Sequence, residues 1–274
     1  MRYIITVLLF CFTLQAQGYI NWQPPVVKAT KGDHSGHSGH GKRKAKQLQL
    51  NNYDPHSELE IFYIKPTLEK IELKLENSLV SLPRTGMENY HALVVNQTKD
   101  KSINSSVFYK YSRGRPSKVS PTKITQLQKS DLEIAPILLP REHDEYHGSK
   151  SYDFEVRFKG EKLPYNSVIF NTSNGTTKTI QADEGSEFSV TMPNDFKNVK
   201  TGKRKNRPAQ FILKSSYVNE GITYTTTLAM PYYVSPTDYW QSVSGGAIVL
   251  IFGLIVGLYL FRNINKKKKK KGKV

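Results

Sequence analysis

Between residues 58 and 234, apolar and polar positions alternate with a period of two over short runs, the pattern of strands with one face buried. Leu59, Ile61 and Tyr63 make one such face, and Ile71, Leu73 and Leu75 the next. Residues 90–95, 107–111 and 132–135 predict further strands. Pro66, Pro83, Pro116, Pro121, Pro136 and Pro140 punctuate this half of the chain, and proline cannot donate to a helical hydrogen-bond ladder. A second series begins near Ser149, where Tyr152, Phe154, Val156 and Phe158 define a strand that ends at the Lys159-Gly160 turn. Residues 168–172 and 176–181 flank Asn174-Gly175, a hairpin signal because tight hairpin turns need residues that tolerate positive φ. Residues 187–192, 210–217 and 223–230 complete the series. Short strands, regular turns and no helical periodicity between them predict an all-β fold. The expected form is two tandem Ig-like β-sandwiches over residues 55–140 and 148–234, with a C-terminal transmembrane helix.

Two apolar runs break the alternation. Met1-Arg2 gives a positive start, residues 3–14 are apolar but too short to span a bilayer, and Gln15-Ala16-Gln17-Gly18 supplies small and polar residues for cleavage near Ala16. Residues 1–17 are therefore expected to be a secretory signal. Residues 243–261 carry no charge, and as a helix they are about 28 Å long at ~1.5 Å per residue, close to the hydrocarbon thickness. A single span is expected over residues 242–262, with Tyr239 and Trp240 at its outer interface. Arg262, the run of lysines at 266–271 and Lys273 form a polybasic tail over residues 263–274 and its border, which the positive-inside rule places in the cytoplasm. Inside the span, Gly253 and Gly257 form a small-x-x-x-small pair with Gly246 one heptad earlier, the spacing that lets a second helix approach closely.

The formal net charge of +17 changes meaning once it is located. Much of it sits in the tail and in Lys28, Lys31, Lys42, Arg43, Lys44 and Lys46, and the remainder is spread along the chain, so the charge does not predict nucleic-acid binding. Cys11, inside the expected signal, is the sole cysteine, so the mature chain has no disulfide, thiolate ligand or cysteine nucleophile. That usage suits a bacterial envelope, with the ectodomain in the periplasm and the span in the inner membrane.

Candidate chemistry gathers at histidines. Residues 18–54 read as a flexible tether, and within it Asp33-His34-Ser35-Gly36-His37-Ser38-Gly39-His40 spaces three imidazoles by Ser-Gly pairs. His34, His37 and His40 can converge on one borderline ion such as Ni, Co, Cu or Zn, with Asp33 adding an oxygen, although Lys42, Arg43, Lys44 and Lys46 oppose a cation nearby. The same sequence also reads as a solvated low-complexity linker. A second group, Glu142-His143-Asp144-Glu145-Tyr146-His147, puts His143 and His147 on one face if the stretch is a helical turn; its other reading is a salt-bridged interdomain loop. His91 reads as an ordinary sheet histidine. No nucleophile elbow, phosphate loop or dinucleotide fingerprint occurs, so no residue points to an enzyme.

Leu132-Glu133-Ile134-Ala135-Pro136, the strand ending Phe158-Lys159-Gly160-Glu161-Lys162-Leu163-Pro164, and the Asp183-Glu184-Gly185 turn before Phe188-Ser189-Val190 and Pro193 resemble the DUF4198 family in order and kind. The resemblance covers roughly residues 55–234. It implies an exported Ig-like or prealbumin-like protein, and several members accompany nickel or cobalt uptake systems. The start Gly18-Tyr19-Ile20-Asn21-Trp22 departs from the histidine near the mature N-terminus that members often carry. The resulting expectation is a membrane-anchored, non-enzymatic protein that captures or relays a transition metal beside transporter subunits. The alternative is an assembly or adhesion module.

Overall fold

The computed structural model describes residues 19–24, 46–141, 145–240 and 243–271, with side chains of the last segment described over 246–262. The expected signal, Asp33, His34, His37, His40 and His143 lie outside the described residues.

In chain order the strands begin with β1 (Asn21–Gln23), β2 (Gln47–Asn51), β3 (Glu58–Ile64), β4 (Lys70–Glu72) and β5 (Leu79–Ser81). A long hairpin follows, β6 (Met87–Lys99) and β7 (Ser102–Ser112), then β8 (Arg115–Pro116), helix α1 (Pro121–Gln126), β9 (Leu132–Pro136) and β10 (Tyr146–His147). The second half holds β11 (Ser151–Phe158), β12 (Glu161–Lys162), β13 (Ser167–Thr172), β14 (Thr177–Gln181) and β15 (Glu187–Thr191). It ends with β16 (Ala209–Asn219), β17 (Ile222–Tyr233), the short α2 (Pro236–Tyr239) and the long α3 (Val243–Lys271).

As expected, the described residues between 46 and 234 are mostly β-sheet, with the short helix α1 between β8 and β9. A ten-stranded sheet in the order β14-β13-β16-β17-β7-β6-β3-β4, with β10 beside β17 and β8 beside β6, forms the centre. The expected turns are where the sequence put them. Asn174-Gly175 joins β13 to β14 with Gly175 at φ +101°, and Lys159-Gly160 joins β11 to β12 with both residues at positive φ.

The division into two tandem sandwiches is corrected by the strand order. β7, from the first expected domain, pairs in parallel with β17, from the second, in register Thr223 with Ser102 through Leu228 with Val107. Both segments therefore contribute to one sheet. Alternation along a strand reports how many faces it buries and says nothing of which strand lies beside it, so a parallel pairing across more than a hundred residues leaves no local trace.

The central sheet is covered on both faces over part of its width. β11, with β9 on one side and β15 and β12 on the other, makes a smaller sheet over one face. Phe154, Val156, Phe188, Val190, Leu132 and Ile134 meet Phe62, Val94, Tyr109, Phe170, Phe211 and Leu228 there in the main core. Ile61, Tyr63, Leu93 and Val95 point the other way, into a second core with Ile20, Trp22, Leu48, Leu50, Val80 and Leu82. This explains the run Ile61-Phe62-Tyr63-Ile64: β3 is buried on both faces there, so its apolar residues are continuous.

The second core corrects the expected tether. Residues 21–23 and 47–51 are antiparallel partners, Asn21 with Asn51 and Gln23 with Gln49, and β5 completes their three-stranded sheet. Trp22 is fully buried; its Nε1 donates to the Ser106 carbonyl at 3.3 Å, while Gln210 Nε2 donates to the Trp22 carbonyl at 2.5 Å. Thr227 Oγ1 donates to the Ile20 carbonyl at 2.8 Å. The signal was present as Ile20/Trp22 and Leu48/Leu50, each pair two apart, but a polar stretch of two dozen residues separates them and dilutes the composition.

Helix α1 was missed for a similar reason. Ser120 caps it by accepting from the Thr122 N–H, and Pro121 occupies its first turn, where a missing N–H costs nothing, so a proline read as a breaker starts the helix. Among the described residues no helix is long and apolar enough to cross a membrane, so the transmembrane helix expected over 242–262 has no support from the structure.

Candidate ligand sites

Of the six residues expected to ligate metal, only His147 is described. It lies in β10, where Tyr146 and His147 pair in parallel with Tyr232 and Tyr233, so the helical-turn geometry that would align it with His143 does not apply. The ring is buried with Nδ1 3.2 Å from the Val234 carbonyl, and the His147 N–H donates to the Tyr152 hydroxyl at 2.8 Å. No group of three or more His, Cys, Asp or Glu able to hold a metal ion occurs among the described residues.

His91 is a fully buried sheet histidine on β6. Its ring stacks on Tyr63 at 5.1 Å. The Asn89 carbonyl, 3.1 Å from Nδ1, can only accept, so Nδ1 carries the proton and Nε2 accepts from the Thr85 hydroxyl at 2.7 Å. Burial pushes the ring down to about 4, assisted by Lys110 and Lys65 and opposed by the Asn89 bond. This is a neutral structural histidine at physiological pH.

A charged cluster that sequence reading did not single out lies under α1. Lys129 and Glu133 form an ion pair with side chains 0 % and 2 % exposed. The Lys129 ammonium also donates to the Ile124 carbonyl at 3.0 Å and to the Leu127 carbonyl. Arg157 donates to the Thr125 carbonyl at 2.9 Å, the Gln126 carbonyl at 3.1 Å and Glu155 Oε1 at 2.5 Å. Two cations thus take the carbonyls left open at the end of α1, where the helix is electronegative. Burial pushes the Glu133 carboxyl up and the Lys129 ammonium down, and each partner opposes the other's shift. With every donor of the ammonium engaged by Glu133 and the carbonyls at the end of α1, the cluster is a structural fastener. Glu133 belongs to the Leu132-Glu133-Ile134 motif, but its neighbours Lys129 and Arg157 come from a loop and another strand, so spacing could not reveal the set.

A cavity of about 450 Å³ lies between the β13–β14 turn and residues 195–209. Asp195 builds its wall. The carboxylate accepts from Tyr232 OH at 2.6 Å, Thr176 Oγ1 at 2.7 Å, Thr172 Oγ1 at 2.8 Å and Asn174 Nδ2 at 3.1 Å. Burial alone raises this carboxyl; the donors, Tyr232 foremost, outweigh it and hold the group below its ordinary range. Beyond Asp195 the chain presents Lys197, Lys200, Lys203, Arg204, Lys205 and Arg207, all exposed, with no acidic residue among them. Asn206 orders this loop. Its Nδ2 donates to the Lys200 carbonyl at 2.6 Å and the Gly202 carbonyl at 3.1 Å, while its Oδ1 accepts from the Lys200 N–H at 2.8 Å. The arrangement suits an anion. A second cavity of about 350 Å³, lined by Gln47, Leu73, Lys74, Glu76, Asn77, Leu79 and Ser81, has no comparable charge.

No family model and no curated protein matches the chain. Among solved structures it aligns with a bacterial ice-binding adhesin of 1.5 MDa at 12% identity and TM-score 0.25, over 70% of this chain and 58% of that one. A Ca2+-stabilized adhesin of an Antarctic bacterium aligns at 11% identity and TM-score 0.25, over 80% and 49%. Salmonella alpha-2-macroglobulin reacted with methylamine aligns at 14% identity and TM-score 0.23, over 67% and 13%. The chain spans about half the length of the adhesin chains, and similarity this low assigns neither fold nor function.

Proposed function

We propose that this is a membrane-anchored, non-enzymatic envelope protein. Its β-rich ectodomain lies outside the bacterial inner membrane and presents the His34, His37 and His40 segment to a transition metal, as an accessory to a transporter. The observation that carries the reading is the pairing of β1 with β2. The histidine-bearing segment starts and ends at adjacent, buried strands, so its two ends are fixed on the ectodomain close to each other. Fixing both ends lowers the entropy lost when three imidazoles converge on one ion.

The anchor rests on α3. Its apolar side chains at 248–252 and 254–256 are 48% to 73% exposed, and they surround the helix without a polar face. A helix apolar all round needs an apolar environment, and the run at 243–261 has the length of a bilayer core. Carbonate extraction of membranes tests this: the chain is expected to stay in the pellet, and its release to the supernatant overturns the anchor. Calorimetric titration of the detergent-solubilised full chain with Ni, Co, Cu and Zn tests the metal reading. Saturable binding that disappears on deletion of residues 33–40 is expected; no saturable binding to the intact chain sinks it.

One observation favours the alternative assembly role. A Cβ placed at Gly246, Gly253 or Gly257 would meet nothing within 4 Å, so the small-residue face of α3 is open to a second helix. Crosslinking in membranes that yields partner subunits in a Gly257→Leu-sensitive manner, without metal binding, selects that role.

A further inference from the structure

We propose that the loop at 197–207 is a docking surface for anionic phospholipid headgroups, holding the ectodomain against the outer leaflet of the membrane that α3 enters; this rests on the anchored reading above. Three observations carry it.

The first is charge. Six exposed cations occur in the eleven residues 197–207, with no carboxylate between them. Among the described residues, Glu145 pairs with Lys203 at 3.1 Å, and Asp195 is turned inward onto four donors, Tyr232, Thr176, Thr172 and Asn174. Asp238, in α2, accepts from Thr237.

The second is order. Asn206 clasps both the N–H and the carbonyl of Lys200, and the Lys205 N–H donates to the Gly202 carbonyl at 3.1 Å. The loop is a shaped platform around a cavity of about 450 Å³ lined by Lys197, Lys200, Lys205 and Arg207, with the Ser173 hydroxyl as a neutral donor. Phosphate oxygens are matched by such a set of cations and hydroxyl donors.

The third is position. The Gly202 N–H donates to the Tyr239 carbonyl at 3.1 Å, and α3 begins at Val243. Four residues of chain reach at most about 14 Å, so the loop lies beside the point where the chain enters α3, within reach of headgroups. Trp240, 71% exposed, stands between them, as an interfacial aromatic does. At physiological ionic strength attraction between surface charges extends roughly 8 Å, so cations placed this close to a phosphate layer feel it and distant ones do not. Lys70, on β4 at the opposite edge of the central sheet from β13 and β14, is an internal reference.

The test uses the full chain in lipid nanodiscs of phosphatidylcholine alone and of phosphatidylcholine mixed with phosphatidylglycerol, with the acetylation rate of each lysine read by mass spectrometry. Lys197, Lys200 and Lys205 are expected to react at least several-fold more slowly in the anionic discs at low salt and to recover at high salt, while Lys70 is unchanged. Equal rates in both discs from a chain that co-purifies with them overturn the docking surface and leave the anchor standing. A chain that does not co-purify with discs overturns both. Protection by inorganic phosphate in phosphatidylcholine discs, with none from phosphatidylglycerol, overturns the lipid as the ligand and assigns the loop to a soluble anion. An Asn206→Ala chain separates a shaped platform from charge alone: the platform requires the protection to fall although every cation is retained.

Discussion

Tyr232 donates its hydroxyl to Asp195 at 2.6 Å, and through that bond the last strand of the central sheet is joined to the start of the cationic loop. The same carboxylate takes Thr172, Asn174 and Thr176 from the β13–β14 turn, so one side chain ties together three segments remote in sequence.

Replacing Asp195 with alanine leaves four donors without their acceptor. The expected cost is about 2 kcal/mol, since unmet polar groups at a half-buried site lose roughly 1–3 kcal/mol. Urea denaturation measures it, and hydrogen exchange should rise first in residues 172–176 and 195–207. A midpoint unchanged from the parent chain removes Asp195 from its structural role.

Trp22 distinguishes a bolted segment from a tether. Trp22→Ala empties a site that is fully buried, and large-to-small changes of this kind cost about 3–5 kcal/mol. Thermal unfolding followed by circular dichroism is expected to show that loss, whereas a solvated tether predicts no change. The variant also frees one end of the histidine segment, so metal affinity should fall with it.

The buried pair Lys129 and Glu133 is asymmetric in its response. Lys129→Met or Glu133→Gln alone strands a partner inside the core and is expected to destabilise by about 3–5 kcal/mol, while the double replacement by apolar residues costs much less. A double-mutant cycle in chemical denaturation reads the coupling. Additive single effects would falsify the pairing.

His91 sets an acid limit. Its folded value, pushed to about 4 by burial, lies below the ordinary 6.5, so the unfolded chain binds the extra proton first. The stability it contributes is fully present above about pH 6.5 and is lost progressively as pH falls toward 4. A chain with His91→Phe, which can still stack on Tyr63, should show a flatter stability curve over that window. Equal slopes in both chains exclude His91 as the group responsible.

Much of the fold was legible because the relevant physics is local. A strand with one face in a core needs alternation, and Phe154, Val156 and Phe158 supply it; a tight hairpin needs positive φ, and Asn174-Gly175 supplies that. The double burial of β3 was not read from the sequence, where Leu59, Ile61 and Tyr63 gave one face; the unbroken Ile61-Phe62-Tyr63-Ile64 is explained only by the two layers the structure shows. The candidate sites were less legible. The histidines stand out in sequence because they are repetitive, but His147 turned out to serve a buried strand, and the cationic loop at 197–207 was submerged in an overall positive charge until its neighbours were known.

The sequence by itself determined the β character, the turns, the apolar run at 243–261 and the absence of cysteine chemistry after residue 11, since each depends on residues a few positions apart. Only the tertiary structure decided that β7 lies beside β17, that residues 21–23 and 47–51 close a second core, and that Asp195, Tyr239 and the cationic loop meet at one end. Those are contacts between distant segments. They are selected by the total burial and hydrogen bonding of the whole chain, and no short stretch of residues encodes them.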